Sequence, residues 1–391
     1  MTTPWGEVGL TRYPEDPRDQ LRAWDAADAY LLKHLAESGI ELTGAVAVVG
    51  DRWGALGTAL TGSDACAPTL ISDSHLGQRA TSANLERNER TGARLLTTQD
   101  TPPERVDVLL VRVPKSLALL EDALHRLRPA VHKDTVVIGT GMVKEIHTST
   151  LNLFERIIGP TRTSLAEKKA RLIFTTPDPR LTPGPNPWPH RYELPDDIGA
   201  LAGRTVVNHA GVFCAERLDI GTRFFLRHLP HGTGATRIVD LGCGNGVVGA
   251  SAALTDPDAE VLFTDESFQA VASAEATYAE NLGDRPGKAV FRVGDGLAGV
   301  APDSVDLVLN NPPFHTHQTT TDATAFRMFT QAREALRPGG ELWVVGNRHL
   351  GYHLKLRRLF GNSELVASDP KFVVLEAVKR EPSEGPGTRR R

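Results

Sequence analysis

One short pattern occurs twice in this chain, and it leaves few folds open. Val48-Val-Gly-Asp-Arg-Trp-Gly-Ala-Leu-Gly57 and Asp240-Leu-Gly-Cys-Gly-Asn-Gly-Val-Val-Gly249 carry glycines in the same phase, each after an apolar run. An apolar run that stops at a glycine turn and restarts as a helix is the opening of a βαβ unit. The agreement continues downstream. Leu70-Ile-Ser-Asp73 aligns with Leu262-Phe-Thr-Asp265, and Asn88 falls near Asn281. Val106-Asp-Val-Leu-Leu110 aligns with Val305-Asp-Leu-Val-Leu309, and Leu127-Arg-Pro129 with Leu336-Arg-Pro338. The chain is therefore expected to be an internal duplication of an α/β, doubly wound, Rossmann-like domain.

Between the copies, Pro177, Pro179, Pro183, Pro185, Pro187, Pro189 and Pro195 crowd together. Such density favours stiff, extended backbone. The expected organisation is a first domain over 1–175, a linker over 176–200, a second domain over 201–380 and a polar tail over 381–391. Upstream of the first glycine turn, Leu21, Trp24, Ala27, Leu31 and Leu35 predict a helix over 19–38.

Composition narrows the setting. The 391 residues are 40% hydrophobic and 24% charged, as in a soluble globular protein. No apolar run approaches the ~20 residues of a membrane span. The N-terminus reads as neither signal nor transit peptide. Cys66, Cys214 and Cys243 lack metal-ligand spacing, so no metal is expected and a reduced cytoplasm is the expected compartment. The net charge of −4 gives no global basic field, so a nucleic-acid partner would have to be held by local patches.

The second glycine turn indicates a cofactor. Gly242, Gly244 and Gly246, with Asn245 between them, let backbone approach a ligand closely. Dinucleotide folds prefer Gly-x-Gly-x-x-Gly and put a pyrophosphate at the helix start. Here the glycines alternate and Asp240 stands at the strand end, where it would repel an anion. A ligand carrying a cationic amino-acid head fits better, which favours S-adenosylmethionine over NAD. Asp265, at the end of the next strand, is placed for the ribose hydroxyls, with Glu266 beside it. Asp295, after the third strand, is placed for the adenine amino group.

The strand Val305–Leu309 runs into Asn310-Asn311-Pro312-Pro313-Phe314-His315. Two prolines end the ladder in a rigid turn. The Asn311 amide oxygen and the Pro312 carbonyl can each accept one hydrogen of an exocyclic amine, and Phe314 can stack on its ring. His315 is a candidate proton acceptor. In the first copy Val48 replaces Asp240, Arg52 replaces Gly244, and Arg112-Val-Pro-Lys115 replaces Asn311-Pro-Pro-Phe. That copy reads as degenerate. Arg112 and Lys115 are left either to contact a phosphate backbone or to lie in a solvated loop.

These motifs resemble class I S-adenosylmethionine-dependent methyltransferases that act on an exocyclic or amide nitrogen. More narrowly, the chain resembles the ribosomal RNA guanine-N2 methyltransferases, the large-subunit (23S) group before its small-subunit (16S) sister. The residues that carry this are Val212-Phe-Cys-Ala-Glu-Arg-Leu-Asp-Ile-Gly-Thr-Arg-Phe-Phe-Leu226, Thr264-Asp-Glu-Ser267, Asn311-Pro-Pro-Phe-His315, Gly346-Asn-Arg-His-Leu350 and Lys371-Phe-Val-Val-Leu-Glu-Ala-Val-Lys379. The resemblance implies two seven-stranded domains, the N-terminal one degenerate and serving substrate recognition. It implies that Leu218 to Thr222, Asp219 and Gly221 included, line the cofactor pocket, that Asn311, Pro312, Pro313 and Phe314 hold the target base, and that Arg348 meets RNA. It further implies a cytoplasmic rRNA-modifying enzyme; the duplication itself favours a monomer. The rival expectations are a 16S guanine-N2 enzyme, an adenine-N6 DNA or protein-glutamine methyltransferase, and a non-catalytic ribosome-binding factor, which the intact second-half motifs disfavour.

Overall fold

The computed structural model describes residues 1–15, 19–63, 66–283, 288–313 and 318–381, with 318–322 as backbone only. Contacts divide the chain into two units, Met1–Trp188 and Pro189–Arg391. The first holds seven strands in one sheet: β1 (Val46–Val49), β2 (Thr69–Ser72), β3 (Arg94–Thr97), β4 (Val106–Arg112), β5 (Val131–Met142), β6 (Thr161–Thr163) and β7 (Ala170–Thr175). Their order is β3-β2-β1-β4-β5-β7-β6, with β7 antiparallel to both neighbours. The connecting helices are α1 (Ala26–Glu37), α2 (Ala55–Leu60), α3 (His75–Arg87), α4 (Leu117–Leu127) and α5 (Thr148–Ile157).

The second unit opens with an antiparallel hairpin, β8 (His190–Glu193) and β9 (Thr205–Asn208). It then repeats the first plan with β10 (Arg237–Leu241), β11 (Glu260–Asp265), β12 (Ala289–Val293), β13 (Val305–Asn310), β14 (Leu336–Asn347), β15 (Glu364–Ser368) and β16 (Phe372–Val378). The order β12-β11-β10-β13-β14-β16-β15 is that of the first sheet, and β16 is again the antiparallel strand. Helices α6 (Ile220–Leu226), α7 (Val247–Thr255), α8 (Phe268–Leu282), α9 (Gln318–Ala335) and α10 (Tyr352–Phe360) accompany it. Both units thus show the fold expected of tandem class I methyltransferase domains.

Side chains alternate across each sheet into two apolar layers. In the second unit Ile238, Phe263 and Leu309 enter one layer, and Val239, Val308 and Phe329 the other. In the first, Ala47 and Leu109 face Phe154, while Val48 and Leu110 face Leu32 and Leu56. A parallel strand covered on both faces has no polar side, so it reads as an unbroken apolar run. Each such large side chain stabilises its unit by ~1.5–3 kcal/mol on burial.

Three expectations are corrected here. Helix α1 starts at Ala26, because Asp25 caps it: the Asp25 carboxylate accepts from Ala27 N at 2.8 Å, and Asp25 N donates to Asp28 Oδ2 at 2.8 Å. Leu21, expected on its apolar face, is 65% exposed. Second, strands β3, β6, β7 and β15, the β8–β9 hairpin and helices α5 and α10 were not expected; β3 and β6 are short and partly exposed. The third correction concerns register. Gly50 N donates to Ile71 O at 3.0 Å, whereas Gly242 N donates to Thr264 O at 2.8 Å. Ser72, not Asp73, therefore occupies the place of Asp265. The capping serines agree, since Ser74 N donates to Ser72 Oγ at 3.1 Å and Ser267 N to Asp265 Oδ1 at 3.0 Å. The second unit has one residue more from the first glycine of its turn to the last residue of the next strand, Gly242 to Asp265 against Gly50 to Ser72, which a gapless alignment cannot see.

No described helix is long and apolar enough to cross a membrane.

Candidate active site

The order of the second sheet reverses at β10, and ligands of open α/β sheets bind at such a switch point, outside the strands' carboxyl ends. Two sequence motifs meet there. The glycine turn leaves β10 while Asn310 and Asn311 end β13, and Leu241 pairs with Asn310 across the two strands. Asn310 Nδ2 donates to the Leu241 carbonyl at 2.7 Å and ties the ends together. Gly246, at φ +77°, leaves no room for a side chain, because a Cβ would lie 2.7 Å from Ala274 Cα in α8. Gly244, at φ +52°, has nothing within 4 Å of that position. The turn is thus packed on its helix side and open at Gly244, where a ligand can approach backbone.

The candidate acids separate into distinct environments. Asp240 is 2% exposed, and its Oδ2 accepts from Gly249 N at 2.8 Å. Burial pushes its carboxyl up to about 8 against the pull of that amide. Its carboxylate thus holds the start of α7. Asp265 is half-buried at the rim: Oδ2 accepts from Gly244 N at 3.1 Å and Oδ1 from Ser267 N. Glu266 beside it is exposed. Asp295 is paired with Arg327 Nη1 at 3.0 Å. Asn245 is buried and donates from Nδ2 to Asn208 Oδ1 at 3.0 Å, while Asn208 Nδ2, fully buried, has no partner among the described residues.

Asn311 is held from α6. Its Nδ2 donates to Thr222 Oγ1 at 2.9 Å. Thr222 N donates to Asp219 Oδ2 at 2.9 Å, and Thr222 Oγ1 donates to the same oxygen at 3.3 Å. Asn311 Oδ1 and Asn310 Oδ1 are both buried acceptors with no partner among the described residues. A buried orphan acceptor costs about 1–3 kcal/mol and is uncommon. Two side by side at a strand end mark a place built for donors that a ligand brings.

Pro312 is buried and Pro313 exposed; Leu218 is half-buried and Gly221 buried against Phe372. Arg348 is exposed and donates from Nη1 to the Asp369 carbonyl at 3.1 Å. Phe314 and His315 lie outside the described residues. Sequence reasoning passed over Asn208 and Asn310, and it gave Thr222 to the cofactor pocket rather than to Asn311, although Thr222 stands three residues after a capping aspartate.

The first unit shows the same frame with other residues at its turn and strand end. Arg112 occupies the Asn311 position, and its guanidinium is fully buried, not offered to a phosphate or to solvent as expected. It pairs with Asp25 at 2.6 Å, Asp28 at 3.2 Å and Glu145 at 3.0 Å. Arg52, at the Gly244 position, pairs with Glu145 at 2.9 Å and Asp25 at 3.6 Å. Burial alone would raise the Glu145 carboxyl, but the two arginines outweigh it and hold it at about 2. This ion cluster holds Arg52 at the place that Gly244 leaves open in the second unit.

The sequence of the first unit matches the family model described as RLMG N-terminal domain over residues 1–179, and the second matches the methyltransferase small domain over 203–376. A Streptomyces avermitilis protein named ribosomal RNA large subunit methyltransferase G is 72% identical over 382 residues, covering 97% of this chain and 99% of that one. The chain belongs to the ribosomal RNA large subunit methyltransferase G family. A more distant member, from Ectopseudomonas mendocina, is 49% identical over 97% of this chain and 99% of its own. Among solved structures, a T. thermophilus 16S rRNA N2 methyltransferase, in complex with AdoMet and guanosine, shares the fold at TM-score 0.75. It is 20% identical and covered over 97% of both chains.

Proposed function

We propose that this family member transfers a methyl group from S-adenosylmethionine to the exocyclic N2 of a guanine in 23S ribosomal RNA. The observation that carries the reading is the pair of unpartnered amide oxygens at the end of β13, beside an open glycine turn. The family name supplies the RNA, and the amide oxygens supply the chemistry of an amine acceptor.

The second unit fits the cofactor. Gly244 presents backbone to open space, and the Asp265 carboxylate stands at the rim with lone pairs left for two ribose hydroxyls. Asn245 and Asn208 border the turn, and the free Nδ2 of Asn208 suits a carboxylate. Asp240 acts from behind the turn, through Gly249. Asp295 keeps acceptor capacity beyond its Arg327 pair. Leu218, Asp219 and Gly221 close the other side. When bound, S-adenosylmethionine supplies an electrophilic methyl on a cationic sulfur.

The amine needs help because the guanine N2 lone pair is delocalised into the ring. Asn311 Oδ1 and the Pro312 carbonyl accept the two amino hydrogens, draw them from the ring plane and leave the lone pair directed at the methyl. Positioning supplies most of the acceleration. The amino proton becomes acidic only as the N–C bond forms, so solvent or His315 suffices to accept it. Phe314 stacks on the flipped-out base, and Arg348 contacts RNA. In this reading residues 201–380 catalyse, and the plugged first unit (1–175) recognises RNA without a cofactor. Residues 176–200 join the two, and the enzyme works as a cytoplasmic monomer.

Asp265→Ala is expected to weaken S-adenosylmethionine binding by about 10–100-fold, the loss of charge-assisted bonds to ribose. Titration calorimetry checks this, and an unchanged affinity removes Asp265 from the site.

The deciding experiment is transfer of labelled methyl from S-adenosylmethionine to deproteinised 23S RNA, deproteinised 16S RNA, assembled subunits and duplex DNA. The acceptors come from a strain lacking the protein. Label recovered as N2-methylguanosine from 23S RNA is the expected result. Label in 16S RNA or DNA overturns the substrate, and no label in any acceptor overturns the activity.

A further inference from the structure

Asn311 can serve as an acceptor only if its amide sits one way round. An asparagine amide is nearly symmetric in shape, and a half-turn about its last bond would replace the oxygen by an NH2 group, which would repel the incoming amine. Something in the protein has to choose. We infer that Thr222 and Asp219 make that choice, as a hydroxyl–carboxylate relay that holds the Asn311 oxygen towards the substrate. The inference rests on the proposed role of Asn311 as amine acceptor.

The Asp219 carboxylate is the acceptor in both of its bonds to Thr222. Its Oδ2 receives Thr222 N at 2.9 Å, which caps α6, and the Thr222 hydroxyl at 3.3 Å. Among the described residues, the hydroxyl has no other acceptor than Asp219 and Asn311. A hydroxyl has one proton. Once that proton points at Asp219, Oγ1 is an acceptor towards Asn311, and it receives Nδ2 at 2.9 Å. The flipped amide would set two oxygens against each other with no proton between them, or would break the bond to Asp219. Thr222 is 7% exposed, so water does not readily take over either role. The outcome is the one observed, with Nδ2 engaged and Oδ1 left without a partner.

The first unit supports the pairing independently. Asp25 caps α1 as Asp219 caps α6, and Asp28 stands three residues on, as Thr222 does. Arg112, in the Asn311 position, bonds to both Asp28 and Asp25. The strand-end residue and the third helix position therefore face each other in both units, and they differ as a pair. Amide and hydroxyl stand in the open site, guanidinium and carboxylate in the plugged one.

Thr222 is thus a positioning residue: it acts through Asn311 and is assigned no contact with the base. Thr222→Val keeps the shape and removes the relay, and Thr222→Ser keeps the hydroxyl. With the full-length protein and 23S RNA, Thr222→Val is expected to lower kcat by about 10–100-fold, with KM for RNA and calorimetric affinity for S-adenosylmethionine within about threefold of the parent. Thr222→Ser is expected to keep kcat within about threefold. In an Asn311→Ala background, Thr222→Val is expected to add nothing, because the amide it orients is gone. Should Thr222→Val not fold, Thr222→Ala is read the same way. Parental kcat in Thr222→Val overturns the relay, and so does an equal loss in the Val and Ser variants, which would indicate packing alone. Full independence of Thr222→Val from Asn311→Ala also overturns it. Parental kcat in Asn311→Ala alone is a different failure, because it removes the proposed amine acceptor and the relay with it.

Discussion

Asn311→Ala is expected to lower the rate of methyl transfer by about 10²–10³-fold, the scale seen when one preorganised hydrogen-bonding group is removed from a reacting centre. The loss should fall on kcat. Among the described residues the Asn311 side chain bonds only to Thr222, and its oxygen is assigned to the amine rather than to the cofactor. Calorimetric affinity for S-adenosylmethionine should therefore stay within about threefold. The fold should survive, since the substitution also removes a buried unpaired acceptor. Single-turnover transfer of labelled methyl to 23S RNA measures the effect free of product release. A parental rate would show that the amine is held elsewhere, and the Pro312 carbonyl would then have to act alone.

The second large effect lies in the first unit. Arg112→Met is expected to destabilise the first unit by ~3–5 kcal/mol, because it leaves buried acids without their counter-charge. Asp28 is buried and Glu145 nearly so, and Arg112 touches both as well as Asp25. Arg52 remains, but it reaches only Glu145 and Asp25. Asp28 would then be uncompensated; burial already raises its carboxyl, with Arg112 as the main opposing charge. Hydrogen exchange localises the effect: amides of β1, β4 and β5 should lose protection while those of β10, β13 and β14 keep theirs. S-adenosylmethionine affinity should not change. Unaltered protection in the first unit would mean that the ion cluster is not what holds that pocket shut.

Much of this was legible in one sequence. Buried parallel strands must be apolar on both sides, and turns that pass close to a helix must use glycine. Together these wrote the sheet twice in recognisable form. Asn311-Pro-Pro-Phe314 was legible for a related reason: two prolines after an apolar run leave a strand end rigid. The short edge strands β3 and β6 were not legible, because few residues and partial exposure give little periodicity. Arg112 was misread for a deeper reason. A lone arginine after a strand looks like a surface cation until Asp25 and Asp28, 87 and 84 residues away, are brought against it.

The sequence by itself determined that this chain is a duplicated α/β protein with a glycine turn in each copy, that its second copy has Gly244 in that turn and Asn311-Pro-Pro at the strand end, and that its first copy has Arg52 and Arg112 at those places. These follow from local rules of backbone freedom and burial, which act over a few residues. Only the tertiary structure decided which carboxylate holds which amide, that Ser72 rather than Asp73 stands in the place of Asp265, and that Thr222 faces Asn311 from 89 residues away. Hydrogen bonds and ion pairs depend on distances of a few ångströms, and chain separation carries no information about them until the sheet has placed its strand ends side by side.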